Sequence, residues 1–275
     1  MSTGTTSARR IADGVFWLGG CLSAFGHGEE VHYHVNAYLV IGEQRTALVD
    51  TGDPAHRDVV LAQLDEALGG RKLDYLVPTH PEIPHAGNLP ALIERHPEAV
   101  VVGETRDYHL HLPEFADRLT PLGPGASLDL GGRELVLMPA HIRDLENTTW
   151  AWDSGAGVLF VSDGFSYIHD VPAPDDEEDE PVHRPGQCRL LSGEMPEPPT
   201  VEQAAYGTGR ALYWTKFVDV SDAFTAIEEL LDAHPTRFIG PAHGNVIDDV
   251  DGMLRTSLAA HRAVYQNRPV GNDSL

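Results

Sequence analysis

Four short apolar runs each end in a side chain able to ligate a metal, and this recurrence constrains the fold more than any other feature of the chain. Residues 73–77 lead into His80, Glu82 and His85. Residues 135–138 lead into His141, residues 158–161 into Asp163, and residues 238–239 into His243. Apolar and β-branched runs of this length, bounded by turn residues, read as buried strands. In α/β sheets the functional crevice lies at the carboxyl ends of the strands. Six metal-type side chains delivered to one rim carry far more information than any one of them alone. His56, His96, His183, His234 and His261 fall instead on predicted helices or loops, where the default is a solvent-exposed or locally bonded histidine.

The rest of the pattern alternates strands with helices. Residues 14–18 read as a first strand, and residues 21–34, rich in Gly, Ser and His, as a loop. A hairpin follows, residues 35–41 and 46–50 around a polar turn. Pro54 opens a predicted helix to Leu68 that stops at Gly69-Gly70. Further helices are expected over 105–112, 201–218, 222–233 and 248–266, and a second hairpin over 127–138. Such alternation in both halves indicates α/β layering. Residues 172–200, rich in Pro and acid, are expected as a surface excursion within a single domain spanning residues 1–275.

Composition excludes several function classes. The 275 residues carry 42 acidic and 19 basic side chains, a net charge of −23. Nucleic-acid binding rests on clustered Lys and Arg, and no such cluster occurs, so no nucleic-acid partner is expected. No run of about 18 apolar residues is present, so no membrane span is expected. The first ten residues lack the apolar core of a secretory signal, and Cys21 and Cys188 form no CxxC pair; two reduced cysteines in a cytoplasmic protein are expected.

With those residues in view, the chain resembles the metallo-β-lactamase-fold superfamily, whose signature is T-H-x-H-x-D-H-x-G-N followed by isolated His, Asp and His ligands. Thr79-His80-Pro81-Glu82-Ile83-Pro84-His85-Ala86-Gly87-Asn88, His141, Asp163 and His243 fall on those places in order. Asn36-Ala37-Tyr38-Leu39 and Leu48-Val49-Asp50-Thr51-Gly52 resemble the family's first hairpin. The resemblance runs from about Val15 to Val246. It implies an αββα sandwich, two mixed β-sheets flanked by helices, with a dinuclear site on its edge. Carried over, His80, Glu82 and His141 hold one ion, His85 and His243 the other, and Asp163 bridges. Asp50 then orients a ligand imidazole, and His32, His34 and His169, with His27, His109 and His111, are expected to line the pocket.

Two departures sort this chain within the family. Glu82 stands where hydrolases have a second His, and H-x-E resembles the di-iron branch; a carboxylate supplies the hard oxygen ligation that suits iron. Pro84 replaces an Asp that most members give to the second metal. Asp144 and Glu146 follow His141 closely enough to compensate. The expected function is therefore a non-haem protein with two Fe ions that binds, reduces or activates dioxygen or a related diatomic, with or without a small organic substrate. No flavin site is expected, so either electrons come from an external donor or the protein only binds oxygen as a sensor, and the resemblance suggests a homodimer. The competing reading is a zinc-dependent hydrolase of ester, thioester, lactone or phosphoester bonds, with zinc-bound hydroxide as nucleophile.

Overall fold

Period-two alternation along the strands builds two apolar faces on each sheet, and both are covered. The computed structural model describes residues 7–26, 29–170, 183 and 186–266. The first sheet contains β1 (Arg9–Ala12), β2 (Val15–Gly26), β3 (Glu29–Ile41), β4 (Thr46–Val49), β5 (Tyr75–Val77), β6 (Val100–Gly103) and β7 (Leu119–Pro121), in that spatial order. β1 to β4 pair antiparallel, and β4 to β7 pair parallel. The second sheet uses β8 (Ser127–Asp129), β9 (Glu134–Pro139), β10 (Thr149–Asp153) and β11 (Val158–Phe160). The short β12 (His169–Asp170) pairs with β3 of the first sheet, and β13 (Phe238–Gly240) pairs parallel with β11.

Between the sheets, Trp17, Tyr38, Val49 and Val77 meet Leu135, Leu137, Val158 and Phe160. The opposite face of the first sheet, with Leu18, Leu39, Leu48 and Leu76, packs against Leu64 of α1 (Arg57–Leu68). After β5, the short helix α2 (Ile83–Ala86) leads into α3 (Leu89–Arg95), whose Leu92 joins the same cluster, and α4 (Tyr108–His111) adds Tyr108. The opposite face of the second sheet, with Met138, Trp150 and Leu159, packs against Ala204 of α5 (Val201–Ala211), Phe224 and Ile227 of α6 (Ser221–Ala233), and Met253 and Ala260 of α7 (Val250–Gln266). Removing apolar surface from water on all four sheet faces is the dominant stabilising term. The layers are α, β, β, α, as expected.

Several local expectations are corrected. Residues 21–34 are not a loop: β2 and β3 form one long hairpin, with Cys21 opposite His34 and Ser23 opposite His32. Its inner face is polar here, so the apolar alternation that identifies a strand is missing. The helix expected over 201–218 ends at Ala211 and continues as a 3₁₀ turn over Tyr213–Phe217. The helix expected over 105–112 is a single turn. His56 and His261 are buried, and His183 is half-buried. The acidic run 175–180 and His27 lie outside the described residues.

Candidate metal centre

The metal-type side chains come from turns that follow β5, β11 and β13, and each turn is fixed from outside. After β4, Asp50 adopts a left-handed conformation at φ 57° while its amide donates to Val77 O, 3.1 Å. Its carboxylate accepts from the Thr79 amide at 2.7 Å and from the Thr79 hydroxyl at 3.1 Å. Asn88, closing the loop, donates its side-chain amide to Thr51 O and Gly52 O at 2.9 and 3.1 Å. Ser162, before Asp163, is again left-handed at φ 52°. The turn carrying His243 is held by β3: Tyr38 Oη donates to Pro241 O at 2.8 Å, and Asn36 Nδ2 donates to Gly244 O at 2.7 Å. Buried polar groups rarely go unpaired, and here the backbone of each turn is paired.

Three ligand atoms converge. His80 Nε2 and His85 Nε2 each lie 3.5 Å from Asp163 Oδ2, and the three side chains are buried. None of these three atoms has a hydrogen-bond partner. Burying such atoms unpaired costs free energy, so their convergence fits a cation. The other faces of the imidazoles are occupied. His85 Nδ1 donates to Asp50 Oδ2 at 3.0 Å, with Thr79 Oγ1 at 2.9 Å. His80 Nδ1 faces Ser162 Oγ at 3.2 Å, Thr148 Oγ1 at 3.3 Å and Asp144 Oδ1 at 3.4 Å. Placing the N–H on Nδ1 leaves each Nε2 lone pair aimed inward, as metal-binding histidines require.

Two carboxylates and a third imidazole border this core. Glu82, with its side chain 56% exposed, stands 3.8 Å from His80 Nε2. Asp163 Oδ1 faces His243 Nε2 at 3.1 Å, so the two oxygens of Asp163 look toward different imidazoles, the disposition of a bridging carboxylate. Asp144 joins His80 and Glu82 in a second group of converging ligand atoms. Charge follows this arrangement. Burial, then the neighbouring His85, holds His80 down to about 3, a neutral imidazole. Burial opposes charge on His85 too, yet Asp50 and Asp163 push it well above the usual histidine range. Asp163 stays below the usual carboxylate range despite its burial, because His85 and His243 face it. Burial, Asp163 and Glu82 push Asp144 up to about 6.

The remaining sequence-predicted residues are placed differently. His141 follows β9 at the strand end, but its half-buried ring lies edge-on to Trp150 at 6.1 Å and joins neither converging group. His32, His34 and His169 do not line this centre. Their rings contact Cys188, Ser23, Asn36 and Trp17 in a separate buried cluster around Cys21. His109 and His111 are exposed on α4, and Glu146 is exposed. Sequence reasoning did not find Ser162 or Thr148: hydroxyls in loops carry no periodicity, and only the packing of the two sheet ends brings them to His80. Beside His243, Tyr33, Tyr167, Tyr206 and Arg210 line a half-open, mostly apolar pocket of about 160 Å³.

Comparison with known proteins agrees with this architecture. The profile of the Metallo-beta-lactamase superfamily matches residues 32–186. A coenzyme F420H(2) oxidase of Methanothermobacter marburgensis is 27% identical over 258 residues, covering 88% of this chain and 58% of the oxidase. Rubredoxin oxygen:oxidoreductase from Desulfovibrio gigas superposes with a TM-score of 0.68 at 22% identity, over 94% of this chain and 62% of that one. The flavodiiron protein from Giardia intestinalis gives 0.67 at 19% identity, over 95% and 60%. The chain thus spans about three fifths of the length of these relatives.

Proposed function

The chain belongs to the metallo-beta-lactamase superfamily, and on that premise we propose that it is a di-iron oxidoreductase acting on dioxygen or a related diatomic. The observation that carries this reading is the donor set: two buried imidazole nitrogens and a carboxylate oxygen without hydrogen-bond partners, bordered by Glu82 and Asp144. Carboxylate oxygen mixed with imidazole suits iron. The relatives named as F420H(2) oxidase, rubredoxin oxygen:oxidoreductase and flavodiiron protein support the same class.

In this proposal His80, Glu82 and Asp163 serve one ion and His85, Asp163 and His243 the other, with His141 kept in the set on its position at the end of β9. Two adjacent irons, when bound by these residues, would supply two electrons to a bound diatomic, which redox-inert zinc would not. The chain's own residues do the positioning. Asp50 and Thr79 hold His85 in the tautomer that presents Nε2. Asp144, Ser162 and Thr148 do so for His80. The pocket beside His243 is small and largely apolar, which suits a small neutral ligand. A cytoplasmic homodimer belongs to the same proposal: the family resemblance supports the dimer, and two free cysteines fit a reducing compartment.

The test is the metal content of protein made in iron-supplied cells, with optical spectra of the reduced protein before and after exposure to air. About two irons per chain bound by this centre and an oxygen-dependent absorption band are expected. Zinc in this centre with esterase turnover would overturn the assignment in favour of a hydrolase.

A further inference from the structure

A second cluster of metal-type side chains lies apart from the centre just described, on the inner face of the β2–β3 hairpin beyond the apolar core. Cys21 on β2, His32 on β3, His169 on β12 and Cys188 in the segment before Leu191 are all buried. Their ligand atoms lie within 4.8 Å of one another. Cys188 Sγ is 3.3 Å from both His32 Nδ1 and His169 Nε2, and Cys21 Sγ is 3.7 Å from His169 Nε2. We propose that Cys21, His32, His169 and Cys188 form a Cys2His2 site for one structural zinc ion.

Geometry and tautomer both support the assignment. Bonds of about 2.3 Å to sulfur and 2.0–2.1 Å to nitrogen separate neighbouring ligands of a tetrahedral zinc by roughly 3.3–3.8 Å, the range these contacts already occupy. His32 Nε2 donates to Ser23 Oγ at 3.0 Å, and Ser23 Oγ donates onward to Glu30 Oε1 at 2.9 Å. That relay places the imidazole proton on Nε2 and leaves the Nδ1 lone pair facing Cys188, the outer support a ligand histidine needs. A divalent cation would offset the cost of burying both thiolates. His183 Nδ1 lies 3.6 Å from Cys21 Sγ and its ring stacks on His34 at 4.9 Å, closing the site on that side.

The position gives the ion a mechanical role. It joins three segments distant in sequence: the β2–β3 hairpin, β12, and the stretch around Cys188, where Asn245 Nδ2 donates to Gln187 O and Leu190 O at 2.8 and 2.9 Å. Tyr33, between His32 and His34, points the other way and packs edge-on against His243 at 5.8 Å. Fixing β3 from one side thus supports the second-metal histidine on the other.

The experiment uses the full chain as purified, with metal analysis and X-ray absorption at the zinc edge. One zinc per chain beyond the metals of the first centre is expected, with two sulfur and two nitrogen scatterers. Cys21→Ser and Cys188→Ser should each lose that zinc while His80→Ala retains it. His169→Cys should keep the ion with three sulfur scatterers, separating loss of a ligand from loss of folding. Protection of both thiols from alkylation in the unmutated protein, relieved by chelator, gives a readout free of mutation. Zinc without sulfur scattering, no metal beyond the first centre, or a Cys21–Cys188 disulfide in the purified protein would overturn the proposal. Because the readout is sulfur-ligated zinc, it stands or falls apart from the iron content of the first centre.

Discussion

At the scale of single residues, the candidate centre depends on carboxylates that aim imidazoles as much as on the ligands. Asp50 accepts from Thr79 and His85 together, so Asp50→Asn should preserve volume yet leave the His85 tautomer unset. Supports of this kind are worth about 10–100-fold in metal affinity; chelator competition on the purified variant should show a loss of that size, with the fold unchanged by circular dichroism. On the proposed reading Glu82 selects the kind of metal. Glu82→His replaces a hard oxygen by a borderline nitrogen, and the iron-to-zinc ratio of protein grown with both metals should shift toward zinc. Pro84 is explained by its place: it sits in the first turn of α2, where a missing amide proton removes no hydrogen bond. Asp144 does not take the place of a carboxylate there: it stands 3.4 Å from the outward nitrogen of His80 and groups with His80 and Glu82, not with His85 or His243.

At the scale of elements, the strand ends deliver ligands because the turns after them are over-determined. Gly244 shows how. Its φ is 104°, and a Cβ there would meet Tyr167 O at 2.6 Å, a backbone atom that cannot swing away. Gly244→Ala should cost about 1–3 kcal/mol of stability and move His243, so the expected result is a lower unfolding midpoint together with reduced occupancy of the second metal. β2 and β3 illustrate a different lesson. Their outer halves were legible as strands because Trp17, Tyr38 and Val40 alternate with residues facing α1. Their inner halves were not, because Cys21, Ser23, His32 and His34 put polar groups where an apolar stripe is the usual signal.

At the scale of the whole molecule, stability rests on three apolar clusters, two between sheet and helix and one between the sheets. α7 completes the second-sheet side, and it buries His261 against Phe224 with ring centroids 5.3 Å apart. His261 Nδ1 donates to Ser257 O at 2.9 Å, and burial depresses the imidazole from 6.5 to about 4. A depressed histidine stabilises the fold while neutral in both states. That contribution is complete above pH 6.5 and is lost as pH falls toward 4, where the unfolded chain takes up the proton first. The loss amounts to about 3 kcal/mol. Urea unfolding of His261→Phe across this window should show a shallower decline than the unmutated protein.

The α/β layering and the strand ends where metal-type residues gather were determined by the sequence by itself, because periodicity and turn residues are local properties of the chain, and the αββα class followed from the family resemblance that those strand ends carry. Their meeting was decided only by the tertiary structure. Asp163 lies between His80, His85 and His243 because β5, β11 and β13 end at one edge of two packed sheets. The same packing set His141 against Trp150, drew Asp144 to His80, and moved His32 and His169 away from the expected pocket to Cys21 and Cys188. Those contacts join residues up to 156 positions apart, and no spacing along the chain encodes them. They follow from which sheet faces must be buried against which.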